Sequence, residues 1–323
     1  MSESNFNLTC KVCGNAQNNE KYTAREMMYG LREEFDYFQC ANCQCLQIVS
    51  FPDDMSAYYP GDYYSFDQYD GKKFRGFKGA IKKKQYELSA VGGGFNKMLR
   101  ALMGKKEYRI LEGYGITKNS RILDVGCGNG RNFLFPLAEV GFSNLLGCDP
   151  YLASSITYPN GLEIKDQNIF AMNGAWDIIT YHHAFEHLPD PLENLQKIHE
   201  LLADDGVCIL RIPTVSSYAW EHYKTNWVQL DAPRHFFLHS EESMRILAKK
   251  ANMELVKVMY DSTHFQFTGS EKYIKDQPLS TPKERGVKAS LQRKRNNAKY
   301  GRQAKQLNRE GKGDQAAFFL RKK

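Results

Sequence analysis

Residues 121–130 read RILDVGCGNG: an apolar run of Ile122, Leu123 and Val125 leads into three glycines at alternate positions, Gly126, Gly128 and Gly130. A buried parallel strand feeding a tight turn has this pattern. Glycine there admits positive φ and lets a ligand approach the backbone closely. The dinucleotide fingerprint needs a third glycine or alanine three residues past the second, and Arg131 stands at that place. A phosphate loop needs Gly-Lys-Ser/Thr, and no such tripeptide occurs. Asp124, two residues before the first glycine, would repel a pyrophosphate but suits a ligand with a positive group. S-adenosyl-L-methionine has an ammonium, a sulfonium and no phosphate, so it meets that requirement. A second apolar run, LLGCDP, ends in Asp149, about 20 residues on, the distance expected for a ribose-binding acid.

Two CxxC pairs, Cys10 with Cys13 and Cys40 with Cys43, form a second constellation, with 26 residues between the pairs. Each pair can place two thiolates on one ion, and two pairs complete a tetrahedral structural zinc site with no open position for catalysis. The intervening loop exceeds the usual ribbon spacing, so a small excursion is expected. Cys45 is a spare thiol or a substitute ligand. Histidines form the third constellation. HAFEH, residues 183–187, fits the inverted zincin pattern HxxEH, but Pro189 makes the turn too short for a helical site and no third ligand is evident in the sequence. WVQLDAPRHFFLHS, residues 227–240, supplies His235 and His239.

The elements that must position these groups alternate from Arg121 onward between strands and helices, as in a doubly wound sheet. Strands are expected at 121–125, 145–149, 162–165, 176–181, 207–212, 254–260 and 316–322. Pro136 should kink or shorten the first helix. Asp190 as N-cap, Pro191 and Glu193 announce a helix over 190–203, with Leu192, Leu195, Ile198 and Leu202 inward. Residues 72–118 read as a helical linker broken by Gly92, Gly93 and Gly94, a candidate lid hinge. The tyrosine-rich tract at 55–71 could stack on a sugar or base, or pack the first domain on the next. A capping box at Thr281–Glu284 should open a basic helix running to about Arg309.

LDVGCGNG, GCDP, WDIITYHHAFEHLPDP and DDGVCILRIP together resemble the class I S-adenosylmethionine-dependent methyltransferases, over at least residues 119–260. The resemblance implies an α/β, Rossmann-like sheet of seven mainly parallel strands, with one antiparallel strand near its edge. It also implies that Asp166, Tyr181 and His182 help line the cofactor pocket, with the adenine near Asp166 or Gln167. With the N-terminal CxxC pairs and RHFFLHS, the chain is similar in part to the zinc-containing nucleotide-sugar methyltransferases. That similarity puts the general base on His235 and an assisting histidine on His187. The chain departs from that group at Arg234, where an acid is usual, at Ala232, where a tyrosine is usual, and in lacking the group's large C-terminal domain. The acceptor, and whether oxygen, carbon or nitrogen is methylated, stay open.

These readings divide the chain into a zinc ribbon over 1–62, a helical linker over 63–118 and a methyltransferase domain over 119–323, with a basic insertion at about 281–310. Of 323 residues 42% are hydrophobic and 25% charged, ordinary for a globular protein. No apolar run approaches membrane-spanning length, and the first residues lack the basic and apolar regions of a secretion signal, so a cytoplasmic location is expected. The net charge of +7 is uneven. Residues 271–323 hold 16 Lys/Arg against 5 Asp/Glu, a net of +11, leaving −4 for the remainder. A small-molecule or glycan acceptor is the leading expectation. The basic tail points to polyanion contact, which keeps an RNA methyltransferase and a non-enzymatic zinc-ribbon nucleic-acid binder as alternatives. The oligomeric state is left open.

Overall fold

The computed structural model describes residues 8–59, 69–91, 106–282 and 284–323. The glycine triplet at 92–94, much of the tyrosine-rich tract and Lys283 lie outside them. Twelve strands occur among the described residues: β1 Glu20–Arg25, β2 Glu34–Gln39, β3 Leu46–Ile48, β4 Ile122–Val125, β5 Leu145–Cys148, β6 Ile156–Thr157, β7 Glu163–Lys165, β8 Trp176–His182, β9 Leu202–Pro213, β10 Phe237–Leu238, β11 Met253–Tyr260 and β12 Gln315–Lys322. They form two sheets.

The larger sheet runs β11-β12-β9-β8-β4-β5-β7-β6. Its centre is parallel, from β7 through β5, β4 and β8 to β9, while β12 lies antiparallel between β9 and β11. The seven expected strands are all present, with the antiparallel one near the edge. The count is nevertheless eight, because the short β6 pairs antiparallel with β7. Alternation splits the central strands between two cores. Leu123, Tyr181, Leu210 and Phe318 enter one core, whereas Ile122, Ile178, Ile209 and Phe319 enter the other. Both faces are covered, which is why these strands read as unbroken apolar runs. Helices Pro191–Leu201 and Glu241–Lys250 supply Leu195, Ile198, Met244 and Leu247 to the first core. Helix Leu134–Glu139 supplies Leu134 and Leu137 to the second.

Local departures have local causes. The helix after the glycine turn has only six residues and contains Pro136, as its missing N–H and ring demand. Asp190 sits at the N-cap of Pro191–Leu201 but makes no side-chain cap bond. Leu202, expected on that helix, instead begins β9 and is buried. The basic helix starts at Val287, not at the Thr281 box. Gly286 precedes it with φ +118°, a conformation that interrupts any helix propagating from upstream. No helix among the described residues is long and apolar enough to cross a membrane.

The smaller sheet, β1-β2-β3-β10, is antiparallel throughout. The hairpin β1–β2 is the excursion anticipated between the cysteine pairs. Its fourth strand, β10, belongs to the RHFFLHS phrase almost two hundred residues away: Phe237 pairs with Gln47 and Leu238 with Leu46. The first core is continuous from Cys10, Val12 and Tyr37 into the larger sheet.

Candidate functional site

The glycine turn closes over the carboxyl ends of β4 and β5. Gly126 has φ +67°, and a Cβ there would stand 2.4 Å from Cβ of Ala184. Only glycine lets the turn lie this close to the residues after β8. Asp149, at the end of β5, accepts from the N–H of Gly128 at 2.8 Å and of Tyr151 at 3.0 Å, so it shapes the turn before any ligand arrives. Burial raises its carboxyl above the usual range. Asp124 is buried and accepts from the Thr180 hydroxyl at 2.7 Å. Burial pushes it up to about 8; the Thr180 bond opposes that shift and neighbouring Asp149 adds to it. Near neutral pH it therefore holds its proton until a positive group draws near.

The chain after β8 carries the second half of the site. His183 adopts φ +54°, and a 3-10 turn over Phe185–His187 follows. The turn buries Glu186 completely, and neither of its carboxylate oxygens has a hydrogen-bond partner. Nδ1 of His183 stands 3.5 Å from Glu186 Oε1. Nδ1 of His187 lies 2.8 Å from the carbonyl of Arg234 and 3.1 Å from the hydroxyl of Tyr59. His235 brings its ring to 4.8 Å from that of His187, centroid to centroid. Its Nδ1 lies 2.8 Å from the Gln229 carbonyl, and its Nε2 lies 3.9 Å from Glu186 and 3.8 Å from Asp231. A carbonyl only accepts, so Nδ1 of His235 carries the proton and Nε2 the lone pair.

Burial, with His187, pushes His235 down to about 4. Burial would raise Glu186, yet the three neighbouring imidazoles outweigh it and hold the carboxyl at about 2.

Residues 97–258 match the family described as methyltransferase domain. The chain belongs to that family. Among curated proteins this methyltransferase-domain chain is similar to EEF1A lysine methyltransferase 2 of Danio rerio, 32% identical over 169 residues. The match takes in 50% of this chain and 66% of the relative, short of two thirds of its length. Among solved structures it is similar to an S-adenosylmethionine-dependent methyltransferase from Mesorhizobium loti (14% identity, TM-score 0.42, 68% of this chain and 99% of that one). Another is the cyclopropane synthase MmaA2 from Mycobacterium tuberculosis (15% identity, TM-score 0.39, 64% and 79%).

The four cysteines of the two CxxC pairs converge. Sγ of Cys10 and Cys43 are 3.5 Å apart, as are those of Cys13 and Cys40, and all four lie within 4.8 Å of one another. Zinc–sulfur bonds of 2.3 Å in a tetrahedron separate sulfurs by about 3.8 Å. Cys13 N–H and Gln47 Nε2 donate to Cys10, and Cys43 N–H and Asn15 Nδ2 to Cys40. Such donors suit thiolates, so the donor set fits a structural zinc. Cys45 is not a fifth ligand; it is fully buried with its Sγ 3.8 Å from His239.

Other expected site residues scatter. The Tyr181 ring is enclosed, its hydroxyl 3.4 Å from Asn194, so its side chain packs the core. His182 packs against Phe133 at 4.5 Å, with Nε2 buried and unpartnered. Asp166 is exposed past β7 and accepts from Ser155. Gly130 follows the turn against Ile164. Arg234 is nearly buried, bridging Glu26 at 3.0 Å and Asp231 at 2.6 Å. The departure at Arg234 thus has a structural office: it joins the smaller sheet to the histidine loop. Sequence reasoning missed Asp231 and Glu26 because each acquires its role only through Arg234.

Proposed function

We propose that the chain transfers a methyl group from S-adenosylmethionine to an acceptor hydroxyl, most suitably on a sugar of a nucleotide-linked or surface-polysaccharide precursor. The observation that carries this reading is the adjacency of the glycine turn to the histidine pair: Ala184 touches the turn at Gly126, and three residues on His187 meets His235. Gly126, Gly128 and Asp149 would hold the cofactor's amino-acid and ribose portions, with Asp124 beside its ammonium. When bound, the cofactor supplies an electrophilic methyl on a sulfonium. A hydroxyl is a weak nucleophile until it loses its proton. His235 offers the Nε2 lone pair that can take it, and Glu186 and Asp231 behind that nitrogen stabilise the imidazolium formed. His187, held by the Arg234 carbonyl, fixes the ring beside it. The ordered cysteine cluster would carry zinc as a structural ion only.

A protein lysine amine is the second reading, favoured by the named activity of the Danio rerio relative. Incubation with methyl-labelled cofactor and cell extract separates the two. Label in acid-soluble, glycosidase-sensitive material supports the sugar; label in protein, recovered as methyl-lysine, replaces it. Nuclease-sensitive label would turn the reading to RNA through the basic helix.

A further inference from the structure

Among the described residues, one carboxylate oxygen of Glu186 and one ring nitrogen each of His187 and His235 lie within 4.8 Å of one another, well away from the cysteine cluster in sequence. We propose that Glu186, His187 and His235 form a second metal site, taking a first-row divalent cation such as manganese, cobalt or zinc. Three features support this beyond proximity. First, Glu186 is wholly buried, with neither oxygen hydrogen-bonded. A buried carboxylate needs a partner, and a cation would supply it. Second, both histidines set Nδ1 against backbone carbonyls, of Arg234 and of Gln229, at 2.8 Å. Metal-bound histidines are oriented this way, one nitrogen donating to a carbonyl and the other left with its lone pair. Third, Nε2 of His235 faces Glu186 Oε1 at 3.9 Å and Asp231 Oδ2 at 3.8 Å. A lone pair confronting two carboxylates is repulsive unless a cation or proton lies between them.

Two imidazoles and a carboxylate are the donor set of zinc, manganese and iron sites, and not of magnesium or calcium, which prefer oxygen throughout. Three protein ligands leave coordination positions open. In the proposed methyl-transfer reading, on which this role rests, those positions would hold acceptor oxygens beside the glycine turn. In the metal-free protein the Nε2 lone pair of His235 is the base; in the metal-loaded one it is a ligand, and the cation would lower the pKa of the acceptor hydroxyl in its place. Binding itself does not depend on that reading.

The test uses the full chain with its cysteine cluster saturated with zinc and excess metal removed. Manganese(II) alone is titrated in and followed by the paramagnetic resonance of the free ion, and cobalt(II) by visible absorption. One additional equivalent per chain is expected, its cobalt spectrum lacking thiolate charge transfer. Glu186→Gln and His187→Gln should each weaken it on the order of 10²-fold while zinc at the cysteines is retained. Failure of the wild-type chain to take up either ion at submillimolar concentration overturns the site. So does uptake unchanged in both variants, or a thiolate signature on the added cobalt. Calorimetry with S-adenosylmethionine on the same sample separates the two readings: cofactor binding without a second metal leaves methyl transfer standing, and a second metal without cofactor binding does the reverse.

Discussion

The hydroxyl of Tyr37 donates to the carbonyl of His235 at 2.9 Å. Tyr37 sits in β2, between the cysteine pairs, and His235 two residues before β10, which completes the same sheet. The cysteine cluster therefore supports, through β3 and Tyr37, the backbone of the histidine proposed as base. Cys10→Ser removes one of the four thiolates proposed to hold zinc and should cost the chain about one equivalent of it, with loss of local folding that depends on the ion. It should also raise amide exchange in β1–β3 and at Phe237–Leu238, and lower turnover although none of the four clustered cysteines belongs to the glycine turn or the histidine loop. Metal analysis with exchange mass spectrometry checks this; exchange confined to residues before β1 would refute the coupling.

Gly126→Ala introduces a methyl 2.4 Å from Ala184 at φ +67°. Strain of about 1–3 kcal/mol is expected from the backbone conformation alone, and the turn must part from Ala184. Cofactor affinity measured by calorimetry should fall steeply. Asp149→Ala should do the same with less loss of stability, since it frees two N–H groups at the cleft's edge without a clash. Unchanged affinity in Asp149→Ala would remove it from the site.

His235→Gln preserves size and, in protein freed of any metal at Glu186 and His187, removes the proton acceptor. Turnover should fall about 10²–10⁴-fold, the usual worth of general base catalysis, with cofactor affinity intact. An equal loss of cofactor affinity would mean that the ring only packs.

Arg234→Met removes the guanidinium that pairs Glu26 and Asp231 inside the protein; Glu26 keeps the N–H groups of Tyr29, Gly30 and Leu31, whereas the Asp231 carboxylate loses its arginine. Breaking a buried pair on one side costs about 3–5 kcal/mol, and urea unfolding should report a loss of that order. The double variant Arg234→Met with Asp231→Asn should recover part of it, because the carboxylate whose side-chain hydrogen bonds came from Arg234 is then neutral. No recovery would indicate that the arginine acts by packing on Tyr29, 5.4 Å from its guanidinium carbon.

His239 is fully buried, and burial pushes it down to about 3, with Glu186 opposing. The unfolded chain, with a histidine near 6.5, binds a proton between those values that the native protein refuses. Stability contributed by the neutral ring is thus full above about 6.5 and declines as pH falls from there towards 3, by at most about 1.4 kcal/mol per pH unit. In His239→Phe the unfolding midpoint should vary less between pH 6.5 and 4.5. Parallel curves for the two proteins would assign acid sensitivity elsewhere.

The sequence by itself determined the features carried by short-range pattern. Ile122–Val125 and Leu145–Cys148 are unbroken apolar runs because their strands are covered on both faces, and covered strands cannot hide that composition. Gly126 was legible because its positive φ and its approach to Ala184 leave glycine as the only fit. The CxxC pairs were legible because two ligands from one turn require that spacing. Pro136 announced a shortened helix by its missing donor.

Tertiary structure decided what depends on distant partners. Nothing in FFLHS marks it as the fourth strand of the N-terminal sheet, since a two-residue strand has no periodicity and its pairing with Gln47 and Leu46 is set by docking. HAFEH showed no third partner because the imidazole that stands beside His187, that of His235, comes from another loop, whose Arg234 pairs with Glu26 and Asp231. The ionisation of Asp124 also escaped the sequence. Burial beside Asp149, not residue type, keeps its proton on near neutral pH, since the cost of a charge is set by what surrounds it.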